Sequence, residues 1–208
     1  FLQYKLVLLY HLLIMQYNNN IFSFHTSYPS GFVDNPYMKG YTFIIRNKGM
    51  EGIEMRILLI NGSPKGKRSN SLKLAYSFIK GLENGCTSNK EELSVDELHI
   101  ASMNIGACKG CFACWHKTPG RCCINDDMQT VIKKLIRADL ILWSFPLYYF
   151  NVPGMLKNLI DRQLPMSLPF MSSRQDGYGS GSHDARYDME GKRHVLISTC
   201  GFYSADEN

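Results

Sequence analysis

The chain has 208 residues, of which 45% are hydrophobic and 20% charged, with a formal net charge of +5. Such a length fits one domain with extra segments, and such a composition is that of a globular protein rather than a disordered or fibrous one. Lysine and arginine are scattered along the chain instead of gathered in a stripe, which argues against a nucleic-acid surface.

The first 54 residues carry no sustained helical or strand periodicity. Residues 6–15 are apolar apart from Tyr10 and His11, too short a run to span a bilayer. Residues 16–20 supply no small-residue cleavage site of a secretory signal. We expect residues 1–54 to be an extension outside the fold, with the true start at Met50 or Met55; a short helix packed on the domain is the alternative. The folded domain is expected over residues 55–208.

From Met55 the character changes. Residues 56–61 form a continuous apolar run ended by Gly62, Ser63 and Pro64, as expected of a central parallel strand. Residues 69–83 read as a helix with Leu72, Tyr76, Ile79 and Leu82 on its buried face, beside Ala75 and Phe78. Residues 94–100 give a second strand, less apolar and so nearer a sheet edge. The acidic pair Asp126 and Asp127 opens a helix striped by Met128, Val131, Ile132, Leu135 and Ile136, and suits the positive end of its dipole. Residues 139–145 are a third strand. Residues 152–162 are a helix with Pro153 in its first turn and Leu156, Leu159 and Ile160 inward. Residues 165–192 are rich in Gly, Ser and Pro and read as an excursion. Residues 194–199 are a fourth strand.

Strands alternating with helices predict an α/β domain with a doubly wound parallel sheet. Right-handed crossovers then gather the strand-to-helix loops at the carboxyl edge of the sheet, where ligands of such sheets bind. Those loops are residues 62–70, 102–125, 146–151 and 200–208.

The first loop turns on small hydroxylated residues into a helix N-terminus, an arrangement that offers N–H groups and a dipole to an anion. It lacks both the triphosphate loop and the three-glycine dinucleotide fingerprint, so a monophosphate suits it; an ordinary helix cap with a basic solvated loop is the competing reading. The third loop carries Tyr148, Tyr149 and Phe150, either core aromatics or flanks for a flat heterocycle. At one sheet edge, the two loops together favour a flat heterocycle that carries a monophosphate.

Gly62-Ser63-Pro64 with Ser69-Asn70, residues 110–115, Asp126-Asp127-Met128, and residues 146–148 through Pro153-Gly154 resemble, in order and spacing, the NADPH-dependent FMN reductase family and the related iron–sulfur flavoproteins. The resemblance runs from about Met55 to the end of the chain. It implies a flavodoxin-like five-stranded sheet in the order 2-1-3-4-5, of which the fifth strand is missing here, leaving a sheet edge unpaired. It implies FMN with its phosphate on Ser63, Arg68, Ser69, Asn70 and Ser71. The flavin ring would lie against Pro146, Leu147, Tyr148, Tyr149 and Asn151, and against Thr199 and Gly201. It further implies NAD(P)H as cosubstrate, a small-molecule electron acceptor and a homodimer.

Seven cysteines occur, at positions 86, 108, 111, 114, 122, 123 and 200. Five of them fall within residues 108–123, a local cluster and not a long-range disulfide framework. Reduced thiols and a cytoplasmic setting are expected. Cys108, Cys111, Cys114 and Cys122 have the compact spacing of [4Fe–4S] ligands and resemble the cluster motif of iron–sulfur flavoproteins; Cys123 could replace Cys122. Zinc is a second metal reading, and unligated or redox-active thiols a third. Among single residues, His99 reads as structural and His116 as a solvated loop residue, while Arg186, Tyr187 and Asp188 sit in the long loop before the fourth strand.

The expected activity is an NAD(P)H-dependent FMN oxidoreductase in which the flavin carries the chemistry and no side chain is nominated as catalytic. The alternatives are an iron–sulfur electron carrier and a thiol or metal sensor without turnover. Neither a nucleic-acid nor a membrane partner is expected.

Overall fold

The structure, a computed structural model, describes residues 11–13, 54–89, 92–172 and 182–200. Their elements, in chain order, are β1 (His11–Leu13), β2 (Glu54–Asn61), α1 (Asn70–Asn89), β3 (Glu92–His99), α2 (Ala113–His116), α3 (Met128–Arg137), β4 (Leu140–Pro146), α4 (Gly154–Asp161), β5 (Ser167–Ser172), β6 (Ser182–Ala185) and β7 (Arg193–Thr199).

The main sheet has the order β1-β7-β4-β2-β3. Strands β3, β2, β4 and β7 run parallel and reproduce the expected order of the first four strands, with the weakly apolar β3 at an edge. Strand β2 lies at the centre because it is apolar on both sides: Ile57 and Leu59 face one layer, Leu58 and Ile60 the other, the two-residue period of an extended chain. Helix α1 covers the first face with Leu72, Ala75, Ile79 and Leu82. Helices α3 and α4 cover the second with Met128, Val131, Leu135, Leu156 and Leu159. No helix among the described residues is long and apolar enough to cross a membrane.

Several expectations are corrected. The edge beyond β7 is not bare, because β1 pairs antiparallel with it from His11↔Ser198 to Leu13↔Leu196 and satisfies part of its ladder. Otherwise the residues before Glu54 lie outside those described, and with them the expected boundary of the domain. Residues 165–192 contain strands β5 and β6, an antiparallel pair, where only an excursion was read. Tyr76 is 41% exposed, with its hydroxyl donating to Glu97 at 3.0 Å. Ile160 turns outward, while Leu156 and Leu159 face the sheet. The acidic pair before α3 does more than complement a dipole: Asp127 accepts from the Asn104 N–H at 2.7 Å, and Asp126 binds an arginine.

One core contact makes the fold sensitive to pH. Trp143 Nε1 donates to Nδ1 of His194 at 3.1 Å, and the rings stack with centroids 6.2 Å apart. Burial, then the nearby Lys192 charge, push the His194 pKa below its ordinary 6.5. The unfolded chain therefore binds this proton more readily, so the contribution is complete above pH 6.5 and is lost as pH falls through the lower native value. Denaturant melts between pH 7.5 and 5 are expected to show stability falling toward the acid side. His194→Phe should flatten that slope; an unchanged slope would show that His194 does not cause it.

Candidate functional site

Strand register builds the site. Asn61 at the end of β2 stands beside Ser144, and Pro146 at the end of β4 beside Thr199. Three chain segments therefore leave the same sheet edge side by side. Two backbone bonds fasten them, Gly62 N–H to the Ser144 carbonyl and Leu147 N–H to the Thr199 carbonyl, each 2.8 Å.

Asn61 organises the first loop. It is fully buried, and its Nδ2 donates to the Gly66 carbonyl at 2.9 Å and to His99 Nδ1 at 3.1 Å. Its Oδ1 accepts from the Ser63 N–H. His99 completes its valences on Glu97 through Nε2, at 3.1 Å, which makes it a structural residue. Gly66 takes φ +54°, a left-handed conformation that glycine adopts without steric cost. Gly62 is needed for space, since a Cβ there would lie 2.5 Å from Leu156 Cδ2.

Of the expected phosphate residues, Ser63, Ser69 and Ser71 are buried, whereas Arg68 and Asn70 are exposed. The Ser69 and Ser71 hydroxyls share a 2.7 Å bond, and Ser69 Oγ accepts from the Leu72 N–H at 3.4 Å. Ser69 is thus an N-cap of α1. The capping and anion-binding readings coincide in one turn: hydroxyls and the first N–H groups of a 20-residue helix converge on its positive end. This donor set fits a phosphate.

In the third loop, Tyr148 and Asn151 exchange backbone bonds of 2.8 and 3.0 Å. The two residues between them, Tyr149 and Phe150, have φ of +47° and +59°. Such a turn ordinarily takes Asn or Gly; non-glycine residues held there are strained. The result is display: Tyr149 is 97% and Phe150 70% exposed. Pro146, Leu147 and Thr199 are half-buried, and Asn151 is exposed. Gly201 lies outside the described residues.

The cysteine loop folds around Phe112, itself at φ +53°, and the short helix α2. Cys108, Cys111 and Cys123 are exposed, Cys122 is half-buried and Cys114 is buried. Beneath the loop Arg162, 1% exposed, makes two 2.8 Å bonds to the Asp126 carboxylate and a third to the Gly106 carbonyl. Burial would raise the Asp126 carboxyl, but the bonds from Arg162, Gly106 and Met128 outweigh it and hold it below the ordinary carboxylate range. Burial raises the Cys114 thiol, and its cysteine neighbours add to that. The Ala113 N–H, then the Cys123 thiol, lower Cys111; the same contact raises Cys123. Sγ of Cys111 lies 3.6 Å from Sγ of Cys123. Among the described residues no group of three or more His, Cys, Asp or Glu side chains is arranged to hold a metal ion. The four expected ligands share one loop, and a [4Fe–4S] cluster takes one thiolate on each iron rather than gathering them on a single ion.

His116 is exposed. Tyr187 donates to the Gly120 carbonyl and so ties the excursion to the cysteine loop, while Arg186 donates to the Pro165 carbonyl within the excursion. Sequence reasoning missed Asn61 and Arg162. The first was visible as an amide closing an apolar strand; the second showed no local signal.

A sequence profile described as the flavodoxin-like fold matches residues 55–208. An iron-sulfur flavoprotein of Archaeoglobus fulgidus is 35% identical over 111 residues, 53% of this chain and 46% of that protein. One from Methanocaldococcus jannaschii is 28% identical over 123 residues, 59% of each chain. An FMN-dependent NADH:quinone oxidoreductase of Pseudomonas syringae pv. tomato is 36% identical over 115 residues, 51% of this chain and 53% of that protein. The chain spans about half the length of the curated relatives it matches.

Proposed function

The chain belongs to the flavodoxin-like fold family, and from that premise we propose that it binds FMN at the carboxyl edge of its sheet and passes electrons from NADH or NADPH to a small acceptor of the quinone class. The observation that carries this reading is the register that sets a hydroxyl-lined helix N-terminus beside an exposed aromatic turn. The relatives' names, iron-sulfur flavoprotein and FMN-dependent NADH:quinone oxidoreductase, agree with it.

When bound, FMN supplies the electron-transfer chemistry, accepting a hydride and passing electrons on. The protein binds and orients. Ser63, Ser69 and Ser71 hold the phosphate with the first turn of α1, and Arg68 and Asn70 close over it from the solvent side. Pro146, Leu147, Tyr148, Tyr149, Asn151 and Thr199 flank the ring. No side chain is assigned a proton or a nucleophilic role. A second copy of the chain completes the site, in the cytoplasm, with residues 55–208 as the flavin domain.

The Cys108, Cys111, Cys114 and Cys122 set has the donor type for a [4Fe–4S] cluster, as the names of two relatives suggest. These four thiolates would hold such a cluster, which would supply electron transfer, and no step is assigned to it.

Titration of the full chain with FMN is expected to quench flavin fluorescence to one equivalent and to give FMN-dependent NAD(P)H oxidation with a quinone. A chain that does neither overturns the proposal. Replacing Ser69 and Ser71 together by alanine should weaken FMN binding roughly 10–100-fold, the worth of hydrogen bonds to a charged group. Unchanged affinity in a folded double variant would move the phosphate elsewhere.

A further inference from the structure

We propose that Cys111 and Cys123 form a redox-active dithiol, a modification site that closes to a disulfide when a peroxide-class oxidant reaches the loop. Their sulfurs are 3.6 Å apart, both residues are exposed, and a disulfide needs an approach to about 2.05 Å. Local geometry selects this pair. Gly110 and Phe112, both at positive φ, put Cys111 on the outside of a tight bend. Cys122 is half-buried, and its carbonyl accepts from Gln129 at 3.0 Å. Cys123, the next residue, is left on the outer side facing Cys111. Cys114, within α2, is buried.

The chemistry balances with hydrogen peroxide. One sulfur attacks the peroxide; an S–O bond forms, the O–O bond breaks, and the leaving hydroxide takes the thiol proton as water. The second sulfur then attacks the sulfenic sulfur; the S–S bond forms, the S–O bond breaks, and a second water leaves with the remaining proton. Two thiols lose two electrons and two protons, and the peroxide gains both. Closure withdraws Cys111 from the four-thiol set, so the oxidised chain cannot use all four as metal ligands. The inference stands on the thiol pair and is independent of flavin binding.

The test treats the reduced full chain with stoichiometric hydrogen peroxide, blocks remaining thiols with N-ethylmaleimide and maps tryptic peptides by mass spectrometry. The expected product links residues 110–117 to residues 122–133, with fragmentation placing the bridge at Cys111 and Cys123. Free thiols in denaturant fall by two from the seven in the sequence, and dithiothreitol restores them. Cys114→Ser should retain the link, whereas Cys123→Ser should reduce it roughly tenfold or more. A bridge mapped to Cys108, Cys114 or Cys122, or seven persistent thiols, overturns the proposal. The wild-type map decides even if a variant does not fold.

Discussion

Asp126→Ala is expected to lower the free energy of unfolding by about 3–5 kcal/mol, because it strands a buried guanidinium without its counter-charge. The side chains of Arg162 and Asp126 are only 1% and 4% exposed, and Asp126 also accepts from the Gly106 and Met128 N–H groups. One carboxylate therefore joins the cysteine loop, α3 and the end of α4. Denaturant melts read the loss, and a change under 1 kcal/mol would refute the pair's role. The native carboxyl lies below its ordinary 3.8, so the stabilisation is complete above that value. It disappears as pH falls through the lower native value. Asp126→Asn should accordingly show a flatter acid limb than the wild type.

Leu156→Ala should be nearly as costly, about 2–5 kcal/mol, since it opens a cavity at a position with no solvent exposure. The neighbouring Gly62→Ala is expected to cost about 1–3 kcal/mol by overpacking, its new methyl lying 2.5 Å from Leu156 Cδ2. The double variant is the sharper measurement. A methyl on residue 62 points into the space that Leu156 vacates, so the combined loss should be smaller than the sum by more than about 0.5 kcal/mol. Strict additivity would mean that the two positions do not compete for the same volume. Because Gly62 opens the hydroxyl-lined loop, Gly62→Ala should also weaken FMN binding, and the double variant should recover part of it.

The elements that sequence reasoning found are those whose signal is local. Strand β2 announces itself as an apolar run closed by Gly-Ser-Pro, and α3 as a stripe from Met128 to Ile136; parallel topology then follows from alternation. The register Asn61↔Ser144 and Pro146↔Thr199 makes the candidate site legible in outline, because any parallel α/β sheet delivers its loops to one edge. What was not legible is pairwise and distant. Asp126 was read as a helix-dipole residue because its partner Arg162 lies 36 positions away. Strands β5 and β6 were missed because Gly- and Ser-rich flanks hide a short two-sided ribbon. The contact of Cys111 with Cys123 lies beside a positive φ at Phe112 that no residue preference demands, since Phe112 is not glycine.

The strand order also carries a consequence in time. Strand β2 meets β3 soon after it is made, but its other edge waits for β4, with Ile57 paired to Leu140. At ribosomal rates of about 5–20 residues per second, roughly 80 residues take on the order of ten seconds to emerge. For that interval one of the most apolar strands of the nascent chain has an open ladder, and closing it spans a long loop. Synthesis is thus the period in which this chain most needs shielding from its own copies.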